Sequence, residues 1–269
     1  MIFVKILLAF SIVYLLFCLY LYFFQDRQIF FPVPSSKVFE DIPYENRITL
    51  NFNGKSIHGM YSGPIDTKKP VIIYFGGNAE DVFYNYAAFR SELNAQFISF
   101  NYRGFAGHEG IPTTNKILED VEEIFTALRA DYSLDPRNTF LVGRSFGAGI
   151  AVQLSKGREF AGILLISPFD SMVNIAKRYY GWFPVALLLK HPLDSLAIAK
   201  ESETPLLILA ASNDNIIPVA HSEALFDTWL SANKKMKIIR GVGHNSIHNA
   251  ESYFLTINAF IDAQSKGLD

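Results

Sequence analysis

The sequence has little charge, a single cysteine and no glycosylation sequon, and each scarcity excludes a class of protein. Charged residues make up 19% of the 269 residues and the formal net charge is -2, so nothing marks an electrostatic footprint for nucleic acid, and no nucleic-acid partner is expected. The one cysteine, Cys18, lies in an apolar run, which leaves no thiol elsewhere for a disulfide or a cysteine-ligated metal. Internal repeats and low-complexity segments are also missing, which excludes a repeat architecture.

Apolar residues are in excess, and the excess is concentrated at the amino terminus. Residues 6–24 carry no charge. About 19 residues, each rising about 1.5 Å along a helix, nearly match a hydrocarbon core of roughly 30 Å. Residues 1–25 are therefore predicted to form a transmembrane anchor. The alternative is a cleaved signal peptide, but bulky aromatic residues stand where a signal peptidase requires small side chains.

The orientation of this anchor depends on few charges. Lys5 lies at one end of the apolar run, and Asp26, Arg27 and Lys37 follow the other, so the positive-inside rule barely distinguishes the two sides. The missing sequon is slightly more typical of a bacterial or cytosol-facing domain than of a eukaryotic lumenal one. Our working expectation is a bacterial inner-membrane protein with its main domain in the periplasm.

Regular patterning begins after a connector, residues 26–46, that is punctuated by proline and serine. The segments RITLNF and SIHGMYS, separated by Asn53 and Gly54, predict a β-hairpin. Six short apolar runs follow, typical of strands that are buried on both faces of a parallel sheet. They are residues 71–75, 97–102, 139–143, 162–167, 206–211 and 236–241.

Helix-like windows separate these runs, as at residues 115–132, where apolar residues follow helical spacing. The alternation predicts an α/β domain over residues 47–269, with a mostly parallel eight-stranded sheet and helices on both faces. Ligands bind at the carboxyl ends of the strands in such sheets. The loops that follow the strands are therefore the places to look for chemistry.

One of these loops contains the stretch VGRSFGAG, in which Ser145 stands in the spacing G-x-S-x-G. A predicted strand precedes Ser145 and a predicted helix follows it. That context is typical of a nucleophile elbow, where a sharp turn requires glycine on both sides and exposes the serine hydroxyl above the sheet. A serine in a glycine-rich turn is the plainer interpretation of the motif taken alone.

A nucleophilic serine needs a base, and the base needs an acid that orients it. Asp214 follows the run 206–211, and His244 follows the run 236–241, in the order acid then histidine that this arrangement requires. Asp170, after the run 162–167, is the alternative acid. His244 and His248 are four residues apart, but no HExxH pattern accompanies them, so neither a metal site nor a cofactor is expected.

An acyl-transfer site also needs two N–H donors for the developing oxyanion. The backbone of Phe146, directly after the serine, is predicted to supply one. The other is predicted to come from Asn78, because Gly76 and Gly77 before it let the backbone turn inward after the run 71–75. An ordinary glycine turn after a strand is the alternative.

Eight stretches together resemble the α/β-hydrolase superfamily, and within it the membrane-anchored serine hydrolases that include bud-emergence-related proteins and protein depalmitoylases. The stretches are QIFFP, YFGGNAED, NYRGFAGHEGIPT, VGRSFGAG, SPFDS, HPLDS, DNIIP and GVGHN. The resemblance extends from about Gln28 to the end of the chain, and it implies serine-dependent cleavage of an ester or thioester. Many relatives have His-Gly where this chain has Gly76-Gly77.

Residues 169–204 are predicted to form a short cap insertion, as is common after the sixth strand of this fold. The cap contains the aromatic residues Tyr179, Tyr180, Trp182 and Phe183, followed by three consecutive leucines. Such a wall would suit an acyl chain. Packing of the cap onto the sheet is the equally simple alternative.

The leading hypothesis is a membrane-anchored serine hydrolase that acts on a small-molecule, lipid or acylated-protein substrate through an acyl-enzyme. A peptidase of the proline-iminopeptidase type shares the triad and the fold, but the cap lacks the acidic patch that would hold a substrate amine. A hydrolase-fold binding module without catalysis is the third hypothesis. Such modules usually lose a triad residue, and all three candidates are present.

Overall fold

The domain is built on one eight-stranded sheet, seen in a computed structural model that describes residues 1–35, 37–52 and 55–265. The strands run in the order β1-β2-β4-β3-β5-β6-β7-β8. β1 and β2 pair antiparallel with each other, as do β2 and β4, and the remaining pairs are parallel. The strands are β1 Arg47–Phe52, β2 Lys55–Tyr61, β3 Val71–Phe75, β4 Gln96–Phe100, β5 Thr139–Arg144, β6 Gly162–Ile166, β7 Leu206–Ala211 and β8 Lys234–Ile239. The turn predicted at Asn53-Gly54 lies outside the described residues.

Helices lie on both faces of this sheet, and α5 shows how the sequence sets their ends. Thr113 caps its first turn by accepting a hydrogen bond from the Lys116 N–H, and Ser133 ends it in the left-handed conformation. The helices are α1 Ile2–Phe24, α2 Asp26–Ile29, α3 Val38–Asp41, α4 Tyr86–Glu92, α5 Thr114–Tyr132, α6 Phe146–Ser155, α7 Met172–Tyr180, α8 Val185–Leu188, α9 Ser195–Ala199, α10 Val219–Thr228 and α11 Ser252–Ser265.

The core has two layers because successive side chains of a strand point to opposite faces. Ile73 and Leu141 belong to the layer that packs under α5 and α6, whereas Ile72 and Val142 belong to the layer on the opposite face. Both sets are buried, so β3 and the middle of β5, residues 140–143, are apolar on both faces. The parallel strands therefore present all their carboxyl ends, and the loops that follow, along one edge of the sheet.

The last strand differs from the sequence expectation. The run 236–241 is predicted to be buried on both faces, but β8 ends at Ile239 and most of its side chains are exposed or half-buried. The physical reason is its position: β8 is an edge strand that pairs only with β7. Exposed lysines, Lys235 and Lys237, lie along it, a usual protection of a sheet edge against further pairing.

The amino-terminal helix α1 is, among the described residues, the one helix long and apolar enough to cross a membrane. Its apolar side chains are mostly exposed, but its second half contacts the cap. The rings of Tyr14 and Phe17 stack on Phe183 with centroids 5.1 and 4.7 Å apart. The Tyr14 hydroxyl also donates to the carbonyl of Trp182 at 3.1 Å. These contacts bring the helix to the same side of the domain as the cap.

Candidate active site

Ser145 lies at a turn between β5 and α6 that is too tight for ordinary side chains. Its φ is +53° and its ψ is -116°, a strained conformation for a residue with a Cβ atom. A Cβ atom on Gly147 would lie 2.1 Å from the Phe75 carbonyl oxygen, and one on Gly143 would lie 2.3 Å from the Gly147 oxygen. The two flanking glycines are thus a steric requirement of the turn.

The structure brings Ser145, His244 and Asp214 together. His244 Nδ1 lies 2.7 Å from Asp214 Oδ2, and His244 Nε2 lies 2.9 Å from Ser145 Oγ. An ionised carboxylate can only accept, so Nδ1 carries the imidazole hydrogen and Nε2 is left to accept from the serine hydroxyl. All three side chains are buried. This arrangement can remove the serine proton as the oxygen attacks an electrophile.

The loop after β7 keeps Asp214 charged. Its Oδ1 accepts hydrogen bonds from the backbone N–H groups of Ile216 and Ile217, at 3.0 and 2.7 Å. Burial raises the pKa of this carboxyl, but the hydrogen bonds from His244 and from the two backbone groups outweigh burial and hold the pKa below its usual value. Asp214 is therefore ionised at neutral pH and can stabilise an imidazolium on His244.

The alternative acid, Asp170, has other partners. Its Oδ1 lies 2.8 Å from His221 Nδ1 and accepts from the Ser171 N–H at 2.6 Å. Its Oδ2 accepts from the Asn174 side chain at 2.8 Å. Asp170 thus joins the start of α7 to His221 on α10, and these hydrogen-bond partners are not members of the triad.

Two substitutions of aspartate by asparagine test which carboxylate orients His244. Asp214→Asn is expected to lower kcat for p-nitrophenyl butyrate by on the order of 10⁴-fold, because an amide reverses the hydrogen-bond pattern that sets the His244 tautomer. Asp170→Asn is the matched control and is expected to retain most of the activity. Steady-state kinetics on the two purified variants measure both effects. A large loss in Asp170→Asn with near-normal kcat in Asp214→Asn would reverse the assignment.

Both residues predicted to donate a backbone N–H to the oxyanion line the cavity at Ser145. Phe146 is the first residue of α6, where a helix leaves its N–H groups without intrahelical partners and carries partial positive charge. Asn78, in the loop after β3, lines the same cavity as Ser145 and Phe146. The Asn78 side chain donates to the Ile29 carbonyl, and its own carbonyl accepts from the Phe31 N–H. Neither bond occupies the backbone N–H that an oxyanion would use.

A largely buried ion pair, with 16% and 13% of its side chains exposed, stabilises this site, and sequence reasoning missed it. Glu80 Oε2 lies 2.9 Å from Arg144 Nη1 and also accepts from the Gly77 N–H at 2.8 Å. Arg144 Nη2 donates to Asn245 Oδ1 at 3.0 Å and to the His244 carbonyl at 3.3 Å. The pair thereby ties the loop of Asn78, the serine turn and the histidine loop together. Arg144 occupies a variable position of G-x-S-x-G, so the motif carried no signal for it.

An apolar cavity of about 370 Å³ opens beside Ser145. Tyr179 and Tyr180 line it, whereas Trp182 and Phe183 lie outside it. The physical reason is that Phe183 stacks on α1 and the Trp182 side chain is 92% exposed. The lining residues are Leu21, Gln25, Gln28, Ile29, Phe31, Asn78, Ser145, Phe146, Phe169, Met172, Ile175, Ala176, Tyr179, Tyr180, Val185, Leu188, Leu189, Ile216 and Ile217.

The histidine loop shows no metal site. His248 lies in the short 3-10 turn Ile247–Asn249, after the loop that holds His244. Within residues 1–35, 37–52 and 55–265, no group of three or more His, Cys, Asp or Glu side chains is arranged to hold a metal ion.

Comparisons with known proteins give a family match and a fold match. A sequence model described as "Dienelactone hydrolase family" matches residues 106–254. The chain is 28% identical over 236 residues to an uncharacterized protein of Mycobacterium tuberculosis, covering 82% of this chain and 80% of that protein. It is 26% identical over 226 residues to human alpha/beta hydrolase domain-containing protein 17B, covering 81% and 75%.

Among solved structures, the chain is similar to the Pyrococcus furiosus esterase Pf2001. The TM-score is 0.68 with 13% sequence identity, and the match covers 88% of this chain and 98% of that chain. At this identity the likeness shows the fold alone. It confirms the α/β-hydrolase fold predicted from the sequence.

Proposed function

The chain belongs to the dienelactone hydrolase family and is a hydrolase of the α/β-hydrolase type, and from this premise we propose that it is a serine hydrolase that cleaves acyl esters or thioesters. The observation that carries the proposal is the unbroken chain of hydrogen bonds from Asp214 through His244 to Ser145, at 2.7 and 2.9 Å, beside an apolar cavity. No other histidine is needed for the reaction.

The reaction begins when Ser145 Oγ attacks the acyl carbon and His244 Nε2 takes the hydroxyl proton. The carbonyl oxygen becomes an oxyanion, which accepts hydrogen bonds from the backbone N–H groups of Phe146 and Asn78. His244 then gives its proton to the leaving oxygen or sulfur, the bond to that atom breaks, and an acyl-enzyme remains. Water adds to the acyl carbon, again losing a proton to His244. The carboxylic acid leaves when that proton returns to Ser145.

The lining of the cavity supports an acyl chain as the part of the substrate that is bound. Most of the lining is aliphatic or aromatic, and among its described members none is Asp or Glu. A proline-iminopeptidase holds a substrate ammonium group, which a cavity of this composition would leave without a counter-charge. The complete triad geometry also favours an enzyme over a binding module.

The amino-terminal helix supports action at a membrane. Nearly all of its large apolar side chains are exposed, and water is a poor environment for a continuous apolar surface of that length. We propose that α1 is a retained anchor, because Leu21 lines the cavity and Phe17 packs on the cap. Cleavage of a signal peptide before the connector would remove both contacts.

The test compares substrates on the full chain in detergent. We expect kcat/KM to rise by about 10- to 200-fold from p-nitrophenyl butyrate to the octanoate ester, since each buried methylene contributes at most about 0.8 kcal/mol. Octanoyl thioester is expected to be cleaved as well, and hydroxylamine should trap the acyl group as a hydroxamate. A proline p-nitroanilide that outperforms every ester would indicate the peptidase. Folded protein that fails to label with a fluorophosphonate would indicate the binding module.

A further inference from the structure

The end of the anchor helix and the start of the connector form one side of the substrate cavity. We call residues 21–31 the juxtamembrane segment; it contains the last turn of α1, all of α2 and the two residues that follow. Leu21, Gln25, Gln28, Ile29 and Phe31 all line the cavity that opens at Ser145. A segment expected only to tether the domain thus contributes a wall of the candidate active site.

Buried polar contacts hold this segment against the cap. Gln25 is buried, and its amide donates to the Leu188 carbonyl at 2.9 Å and accepts from the Lys190 N–H at 2.7 Å. Asp26 Oδ1 lies 2.6 Å from Nε2 of the buried His191. The donor and the acceptor of the buried Gln25 amide both have hydrogen-bond partners in the cap. Since a buried polar group without its partner is destabilising, these bonds hold the segment in one position beside the cap.

The same segment contacts both groups proposed to bind the oxyanion. The carbonyl of Ile29 accepts from the Asn78 side chain at 2.6 Å, and the Phe31 N–H donates to the Asn78 carbonyl at 2.9 Å. The buried ring of Phe30 packs edge-on against Phe146 with centroids 5.4 Å apart. The segment therefore helps to position the loop of Asn78 and the start of α6.

Gln28 offers a further polar contact inside the cavity. Its Oε1 accepts from the Tyr180 hydroxyl at 2.6 Å. Its Nε2 is buried and has no hydrogen-bond partner within the described part of the chain. A buried amide donor without a partner is destabilising unless an acceptor occupies the site.

The cap contacts α1 well inside its apolar run. Phe183 stacks on Tyr14 and Phe17, and Tyr14 lies about 15 Å before the end of α1 at 1.5 Å per residue. A bilayer that surrounds α1 would therefore also surround the tip of the cap. Exposed apolar side chains there include Trp182, at 92%, and Leu187, at 83%, whereas the exposed Lys177 and Arg178 lie about one turn earlier, on α7. Tryptophan is common at the membrane interface.

From these contacts we propose that the juxtamembrane segment is part of the substrate site. It forms a wall of the acyl cavity, positions the oxyanion loop, and joins the cavity to the leaflet in which the cap tip lies. The substrate is then a long-chain acyl ester or thioester that resides in the membrane, and its chain enters the cavity from the leaflet. This inference rests on the proposed serine hydrolase function.

Two leucines of α1 provide a matched test of the cavity wall. Leu21 lines the cavity and is 8% exposed, whereas Leu19 is 44% exposed and is not one of the lining residues. Leu21→Trp, in the full chain, is expected to lower kcat/KM for p-nitrophenyl dodecanoate by at least about ten-fold through KM, because the larger ring occupies space that the chain needs. The loss for the butyrate ester should be smaller, because its short chain occupies less of the cavity, and Leu19→Trp should match wild type on both esters.

The outcomes of this test separate the inference from the function on which it rests. If Leu21→Trp and Leu19→Trp have the same chain-length profile, the wall is not formed by this segment and the inference fails. If wild type neither labels nor hydrolyses butyrate, the serine hydrolase function itself fails. Should Leu21→Trp fold poorly, Leu21→Ala replaces it: the enlarged cavity should shift preference toward longer chains, and an unchanged profile would overturn the inference.

A vesicle assay tests whether the substrate enters the cavity from the membrane leaflet. The full chain in phosphatidylcholine vesicles is given 4-methylumbelliferyl palmitate, either in the same vesicles or in separate ones. We expect hydrolysis to be faster when enzyme and ester share a bilayer, with the difference lost for the water-soluble butyrate ester. Equal palmitate rates in the two arrangements would show that the ester enters from water, and this part of the inference would be wrong.

Discussion

Ser145→Ala is expected to lower kcat/KM for p-nitrophenyl octanoate by roughly 10⁴- to 10⁶-fold, because triad members act as a unit and the remaining groups cannot supply a nucleophile. His244→Ala should cause a loss of similar size, and the double variant should lose little more. Alanine keeps the Cβ atom and the strained backbone of the turn, so only the hydroxyl that contacts His244 is removed. Steady-state kinetics and fluorophosphonate labelling measure the effect.

A second buried serine controls for nonspecific damage. Ser155 lies at the end of α6, the helix that begins after Ser145, and its hydroxyl donates to the Val152 carbonyl at 2.8 Å. Ser155→Ala is expected to keep normal labelling and normal kcat/KM. If Ser145→Ala retains activity within about ten-fold of wild type, a difference of about 1.4 kcal/mol, the nucleophile has been assigned wrongly.

Glu80→Ala is expected to destabilise the fold by about 3–5 kcal/mol, because it leaves the Arg144 guanidinium buried without its counter-charge. Glu80 also accepts from the hydroxyl of Tyr74 and the amide of Asn85, at 2.8 and 2.7 Å, and these donors would lose their partner as well. Urea unfolding of the full chain in detergent measures the loss. We expect activity to fall too, since the ion pair joins the loops of Asn78 and His244.

An exposed ion pair is the control for this substitution. Glu122 and Arg158 form a salt bridge at 2.7 Å, but their side chains are 46% and 31% exposed. Glu122→Ala should therefore change stability by only about 0–1 kcal/mol. Equal losses in Glu80→Ala and Glu122→Ala would contradict the bracing role of the buried pair.

Ionised Glu80 is expected to stabilise the fold, and this stabilisation is expected to be lost at acid pH. Burial raises the pKa of this carboxyl, but Arg144 and the hydrogen-bond donors around it outweigh burial and hold the pKa below its usual value. The stability that ionised Glu80 contributes is thus fully present above the unfolded-state pKa of about 4.3, and it is lost as pH falls through the lower folded-state pKa. Wild type should lose stability more steeply than Glu80→Gln on acidification below about pH 4.3. Parallel acid curves would contradict this contribution.

Much of the candidate site could be predicted because its members follow strands of one parallel sheet. Ser145, Asp214 and His244 each come directly after an apolar run, and parallel strands deliver the loops after them to the same edge. The choice between Asp214 and Asp170 was harder, since both follow such runs. Only the positions of His244 and His221 in the fold distinguish the two carboxylates.

The cap and the anchor were predicted less completely. Tyr180 and Phe183 are both aromatic and three residues apart, and nothing in their spacing shows that one lines a cavity while the other stacks on α1. Burial at β8 was overestimated for a related reason. An apolar run does not reveal whether its strand lies in the middle of a sheet or at the edge.

The sequence by itself determined the α/β alternation, the serine turn and the order of the acid and the base, because these depend on periodicity and on the short-range steric demands of glycine. The tertiary structure alone decided that Glu80 pairs with Arg144 and that the juxtamembrane segment contacts the loop of Asn78. Those partners are 64 and 49 residues apart in the chain. Contacts at such separations arise from the packing of whole elements, for which no local pattern of residues carries a signal.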